Sequence, residues 1–294
     1  MKTLLSYLFY IVCFWAALPL QAQTRRALVI GLGQQADVAW NKINGDQDVP
    51  YVVEMLQAAH YSSIKTCVNQ DATKAGIVSA FEELAASCES GDVVYVHYSG
   101  HGQQIRDVSQ DEDDELDESW IPYDAYRSPC RQDRGEKHLS DDEVNRYLQT
   151  IQRQIGKSGR LLVVIDACHS GDATRGPGDE TVRGVSEIFD ALKAFFTPST
   201  PSAPSSRKSV VRYDEPWITL SACESAQVNI EMNKPKVGKL TYALYQQTRQ
   251  GNRLSNEDFF KQLRKFVNGH TTSRPQRPVM TGATSSYNLT DILR

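Results

Sequence analysis

Two short stretches hold residue types that could do chemistry together. The first is Leu161-Leu162-Val163-Val164-Ile165-Asp166-Ala167-Cys168-His169-Ser170-Gly171. Five apolar, mostly branched residues in a row predict a strand buried on both faces, as inside a parallel sheet. The run then gives way to an acid, a cysteine and Ser-Gly. Cys168 therefore falls at the carboxyl end of a strand, where open α/β sheets bind ligands. The second stretch, Val93-Val94-Tyr95-Val96-His97-Tyr98-Ser99-Gly100-His101-Gly102, has the same form and holds His101 between glycines. If the two strands are neighbours, His101 and Cys168 face one crevice. A thiol beside a histidine that manages protons is equipped for nucleophilic attack on an acyl group. Taken singly, Cys168 reads as a small buried hydrophobe and His101 as a satisfied core histidine. Their joint placement at glycine-bearing strand exits favours chemistry.

The elements that must position this pair follow from hydrophobic periodicity. Arg26 to Gly31 predicts a first strand, and Ser63 to Val68 a second. Between them Val49, Val52, Val53, Leu56 and Ala59 share one helical face, with Asp46 and Asp48 just ahead, where carboxylates suit a helix amino terminus. Gly31-Leu32-Gly33-Gln34-Gln35-Ala36 satisfies a dinucleotide-binding fingerprint on paper, but no helix opens at once after it, so it reads as a strand-exit loop. Asp71-Ala72-Thr73 opens a helix running to about Cys88, and Ser140 with Glu143 forms a capping box ahead of Val144, Tyr147, Leu148 and Ile151. A charged, glycine-rich loop from Gly171 to Gly184 leads to an expected helix through Ile188, Leu192 and Phe195. Trp217 to Leu220 reads as a fifth strand, Leu240 to Thr248 and Asn256 to Val267 as helices, and Pro278 to Thr281 as the last strand. Strands alternating with helices predict a mainly parallel sheet covered on both sides.

Composition narrows the function. Met1 to Ala22 has a positive start, an apolar run and a small-residue exit, and reads as a cleaved signal peptide rather than a membrane anchor. The expectation is an exported protein, periplasmic or extracellular, with residues 23–294 forming one domain. The formal charge of -4 carries no basic stripe, which argues against nucleic acid as a partner. No other segment is apolar enough to span a bilayer, so no membrane partner is expected after cleavage. Cys67, Cys88, Cys130, Cys168 and Cys223 survive processing, and an odd count leaves at least one free thiol, with Cys168 the natural one. Residues 197–212 are rich in Pro, Ser and Thr and read as an exposed, flexible loop within the domain. His97 is read as a packed strand residue rather than a metal ligand.

Tyr98-Ser99-Gly100-His101-Gly102 followed by Asp166-Ala167-Cys168-His169-Ser170-Gly171 resembles the caspase-like cysteine peptidases, in particular their metacaspase and bacterial branch. The resemblance runs from about Arg25 to Pro278. It implies a caspase-type three-layer α/β/α sandwich around a mainly parallel six-stranded sheet. It implies Cys168 as nucleophile, His101 as proton carrier, and the backbone N–H groups of Gly102 and Cys168 as oxyanion donors. In this family backbone orients the histidine, so no third catalytic acid is named. The resemblance also puts an acid from an Asn-Asp pair in the pocket for a basic side chain. Gln47-Asp48 aligns best with that pair, so Asp48 is expected there and Asp46 competes for the role. Asp166 is an acid beside a site where caspases, which accept Asp, avoid one. With Asp48 and the Ser99 hydroxyl it would form an acidic pocket for Arg or Lys at P1, the residue just before the cleaved bond.

The expected activity is thus cysteine endopeptidase cleavage of peptides or proteins after Arg or Lys, by a monomer. Two other classes remain open: an idle caspase-like binding or regulatory module, and a thiol hydrolase acting on non-peptide acyl groups. Self-cleavage is expected at basic residues near the nucleophile or in the flexible loop: Arg175, Arg183, Arg207, Lys208 or Arg212. The acidic run Asp111 to Glu118 fails the EF-hand template. The metacaspase pattern carries calcium ligands onto Asp117, Asp141 and Asp142, but its fourth position falls on Arg175, with Asp172 a possible substitute. No cofactor requirement is expected, and calcium binding should be weak or absent.

Overall fold

The computed structural model describes residues 23–106, 116–168, 180–185, 187–190, 215–225, 227–270 and 274–294. The expected signal peptide, and Asp172, Arg175, Arg207, Lys208 and Arg212, lie outside them. Two buried runs form the centre of the sheet. β3 (Val93–Ser99) pairs in parallel with β7 (Arg160–Asp166), with Ser99 opposite Asp166. Around them lie β1 (Arg25–Gly31), β2 (Ser63–Val68), β8 (Ile218–Ser221) and β11 (Val279–Gly282). The six-stranded order is β11-β8-β7-β3-β1-β2, and only the β11–β8 pairing is antiparallel.

Helices cover both faces, as continuous apolar strands require. On one face pack α1 (Gly45–Ala58), α4 (Lys239–Arg249), α5 (Asn256–Gly269) and the short α6 (Leu289–Ile292), through Val52, Leu56, Leu240, Leu244 and Leu263. On the other pack α2 (Lys74–Ser87) and α3 (Asp141–Ile155), through Ile77, Phe81, Leu148 and Ile151. The caps follow the sequence: Thr73 Oγ1 accepts from Gly76 N and Ser140 Oγ from Glu143 N. The capping box is only half made, because the Glu143 carboxylate takes Lys74 Nζ at 2.7 Å. The loop after β1 runs to α1 at Gly45, in keeping with a plain strand exit rather than a nucleotide-binding turn.

Two small sheets sit beyond the carboxyl ends of the central strands. One joins β4 (Gly102–Arg106), β5 (Leu116–Trp120) and β6 (Leu139–Ser140); the other is the hairpin of β9 (Glu231–Asn233) and β10 (Lys236–Gly238). The helix expected through Ile188 is not formed at residues 187–190. Phe189 instead bridges Ile105 at the edge of β4, its N–H donating to Gln104 O at 2.8 Å. Its ring is buried against His138 at 4.3 Å, while Ile188 is 46% exposed. Burial of one aromatic and pairing to an open edge override the helical spacing.

Candidate active site

His101 follows β3 and Cys168 follows β7, so the pairing of these strands brings both to one end of the sheet. Both are buried, at 1% and 2% exposure. The His101 imidazole donates Nε2–H to Asn41 O at 2.8 Å. A carbonyl only accepts, so in the neutral ring the proton sits on Nε2 and Nδ1 carries the lone pair. Nδ1 is buried with no hydrogen-bond partner. Trp40 lies against the ring at 5.0 Å, and Tyr98 Oη donates to His101 O at 2.6 Å. Burial pulls the imidazole pKa down to about 4, so the ring is neutral at physiological pH and can accept a proton. The Cys168 thiol points to Gln227 O at 2.8 Å. Cys223 reaches the same oxygen at 3.5 Å, and its own pKa is pushed up by hydrogen bonding to Cys168 and by burial. Gly102, expected as an oxyanion donor, is the buried first residue of β4.

The expected acidic pocket is assembled beside the cysteine. Asp48, in the first turn of α1, and Asp166, closing β7, are both fully buried. Ser99 Oγ donates to Asp48 Oδ2 at 2.7 Å, and Gly238 N to Oδ1 at 2.8 Å. Asp46, the competing acid, instead takes Asn69 Nδ2 at 3.3 Å outside the pocket. Asp166 accepts from Asn229 Nδ2 at 2.7 Å and from Thr241 N and Oγ1 at 2.8 and 2.6 Å. Because the Ser99 proton goes to Asp48, His97 must donate Nε2–H to Ser99 Oγ at 2.9 Å and accept from Tyr95 Oη at 2.9 Å. His97 is thus a packed residue that braces the pocket, neutral because burial lowers its pKa to about 4.

This pocket is already filled by the protein's own Arg183, which has no exposed surface. Its Nη1 donates to Asp48 Oδ2 at 2.7 Å and to Asp166 O at 3.1 Å, and lies 3.3 Å from Asp166 Oδ1. Its Nε donates to Glu231 Oε1 at 2.8 Å, while Nη2 is buried without a hydrogen-bond partner. Burial pushes the Asp48 carboxyl up to about 6 despite the guanidinium beside it. Burial opposes the charge of Asp166 too, but there Arg183 and the Thr241 and Asn229 hydrogen bonds outweigh it and hold the carboxyl below its usual range.

Sequence reasoning missed Glu231, Asn229, Thr241 and Gly238. Glu231 offered a faint signal, as an acid set between Ile230 and Met232. The three acids suggested for calcium are placed separately: Asp117 in β5, Asp141 and Asp142 in the first turn of α3. Among the described residues no group of three or more His, Cys, Asp or Glu side chains gathers as a metal site.

Comparison with known proteins places the chain in a family. The family model for the caspase domain matches residues 24–289, and the chain belongs to that family, one of cysteine endopeptidases. Metacaspase-1A of Neurospora crassa is 31% identical over 172 residues, covering 55% of this chain and 35% of the relative. Metacaspase III c of Phaeodactylum tricornutum is 27% identical over 189 residues, covering 60% of this chain and 53% of the relative. The matches thus span roughly a third to a half of these relatives' length. Among solved structures, a protein of Geobacter sulfurreducens aligns over 92% of this chain and 96% of its own at TM-score 0.63 and 21% identity. Caspase-1 from Spodoptera frugiperda aligns over 89% of each chain at 0.57 and 12%. At these identities the likeness is one of fold, and the fold is the caspase type.

Proposed function

We propose that this chain is an exported cysteine endopeptidase that cleaves peptides or proteins after Arg or Lys. The observation that carries the reading is a buried pocket of Asp48, Asp166 and Glu231, beside Cys168, that holds a guanidinium. A P1 arginine would make the same contacts, and charge-assisted hydrogen bonds from a rigid fork favour it over lysine. Cys168 Sγ attacks the scissile carbonyl carbon, its proton passing to His101 Nδ1. Backbone N–H groups of Gly102 and Cys168 receive the oxyanion. His101 then gives the proton to the departing amine, and water resolves the acyl-enzyme. The leader Met1 to Ala22 directs export, the enzyme acts as a monomer, and neither calcium nor another cofactor is required.

The test is a fluorogenic peptide library on the mature protein, with Cys168→Ala as blank. Turnover confined to Arg and Lys at P1 is the expected result. A preference for Asp or apolar residues at P1 overturns the pocket assignment, and silence from every peptide overturns the peptidase reading.

A further inference from the structure

We propose that the end of the sheet opposite the active site holds a binding site for a phosphate monoester, built from Arg25, Arg160, Arg253 and Arg294. A cavity of about 410 Å³ opens there, lined by these four arginines with Thr290 and Asp291. Arg25 begins β1 and Arg160 begins β7, and the register sets both opposite Val93 at the start of β3. Two strand spacings, about 10 Å, therefore separate their backbones, so two long side chains can converge on one anion. His101 and Cys168 follow the other ends of β3 and β7. The seven residues of β7 span roughly 20 Å, which keeps this cavity apart from the nucleophile.

The charges around the cavity are not balanced. Among the described residues lining it, four guanidiniums face one side-chain carboxylate, that of Asp291, and the excess stays positive when a carboxylate on Arg294 is counted. Asp291 is divided between two of the arginines. Arg253 Nη2 donates to its Oδ1 at 2.9 Å, while Arg160 Nη1 lies 3.7 Å from Oδ2, beyond hydrogen-bond reach. Arg25 is turned to backbone, its Nη1 and Nη2 donating to Ile292 O and Asp291 O, both at 2.9 Å. Its guanidinium is held 5.7 Å from the centre of the Tyr61 ring. Arg294 Nη2 is buried with no hydrogen-bond partner. A buried donor on a charged group is costly without an acceptor, and like charges at one mouth repel. An anion seated among them relieves both.

The donors select the kind of anion. A guanidinium presents paired N–H groups in a rigid fork that matches two oxygens of a phosphate. A phosphate monoester carries about -1.5 to -2 charges near pH 7, which meets the excess, whereas a sulfate monoester carries one. Asp291 occupies the place of a competitor, which the phosphate displaces from Arg160 and Arg253. The cavity has the size of a small-molecule site, and its polar lining suits the alcohol part of a sugar or glycerol phosphate rather than a hydrocarbon.

Titration calorimetry of the mature protein with glycerol 3-phosphate and with inorganic phosphate tests the site, in about 150 mM sodium chloride to screen diffuse surface attraction. Both should bind saturably at one site, and methyl sulfate at least tenfold more weakly. Arg160→Gln should weaken glycerol 3-phosphate at least tenfold. Arg253→Gln should do the same, and its side chain is 73% exposed, so the fold should survive the change. Asp291→Asn should tighten binding severalfold by removing the competitor, and Arg264→Gln, outside the cavity, should leave it unchanged. Cys168→Ala should bind as wild type does, so the site stands or falls separately from the peptidase reading. Absence of saturable binding overturns the proposal, as does equal affinity in wild type and Arg253→Gln. Loss in Arg264→Gln as large as in Arg253→Gln would mean general attraction to basic surface and overturns it too. Methyl sulfate bound as tightly as glycerol 3-phosphate overturns the assignment to a phosphate ester.

Discussion

At the scale of single residues, the site separates chemistry from recognition. Cys168→Ala and His101→Ala should each abolish turnover, by about 10³-fold or more, because nucleophile and proton carrier act as a unit. Circular dichroism should report an intact fold for both, since neither side chain carries the core. Asp166→Asn keeps the shape of the pocket but removes a charge, and should lower kcat/KM for Arg peptides on the order of 100-fold. A change confined to kcat would contradict a role in binding the P1 cation. Asp48 adds a pH dependence, because burial raises its pKa to about 6. Above that pH it is charged and attracts the P1 cation. As the pH falls through about 6 it takes up a proton, the attraction weakens, and kcat/KM should fall toward acid. A kcat/KM profile that keeps this acidic limb in Asp48→Asn would assign the limb to another group.

At the scale of elements, the junction of β10 and α4 forms a wall of the pocket. Gly238 N donates to Asp48, and a Cβ on Gly238 would stand 2.2 Å from Asp166 Oδ2 and 2.7 Å from Arg183 Nη1. Gly238→Ala should therefore cost about 1–3 kcal/mol by overpacking. It should lower the melting temperature by several degrees and weaken Arg peptides more than it slows chemistry, as scanning calorimetry and separate KM and kcat values would record. The central strands were legible in the sequence because burial on both faces leaves continuous apolar runs, as in Leu161 to Ile165. The choice between Asp46 and Asp48 was open because both fall in one helical turn; only the start of α1 at Gly45 turns Asp48 toward Ser99. Residues 187–190 misled because apolar spacing does not register an unpaired sheet edge. The pairing of Thr181 to Arg183 with Asn229 to Glu231 was invisible for the same reason: it joins distant segments and leaves no local pattern.

At the scale of the whole molecule, the remaining question is whether an ion organises the acids on the β4-β5-β6 side. Asp117 is buried in β5 opposite Ile105, while Asp141 and Asp142 begin α3, where carboxylates already favour the helix amino terminus. The pairing of Ser119 with Ser140 ties these elements together through backbone hydrogen bonds. Calcium asks for six to eight oxygens, and its affinity follows the number of charged ligands supplied. The resemblance to metacaspases implies a fourth ligand position at Arg175, and a cation there would oppose the ion or pair with the same acids. The enzyme should therefore keep its Arg-peptide activity in EDTA, and millimolar calcium should change the rate by less than about twofold. Titration calorimetry of Cys168→Ala with calcium should give no saturable heat below the millimolar range. Activity lost in EDTA and restored by calcium but not magnesium would mean that Arg175 does not take the ion's place.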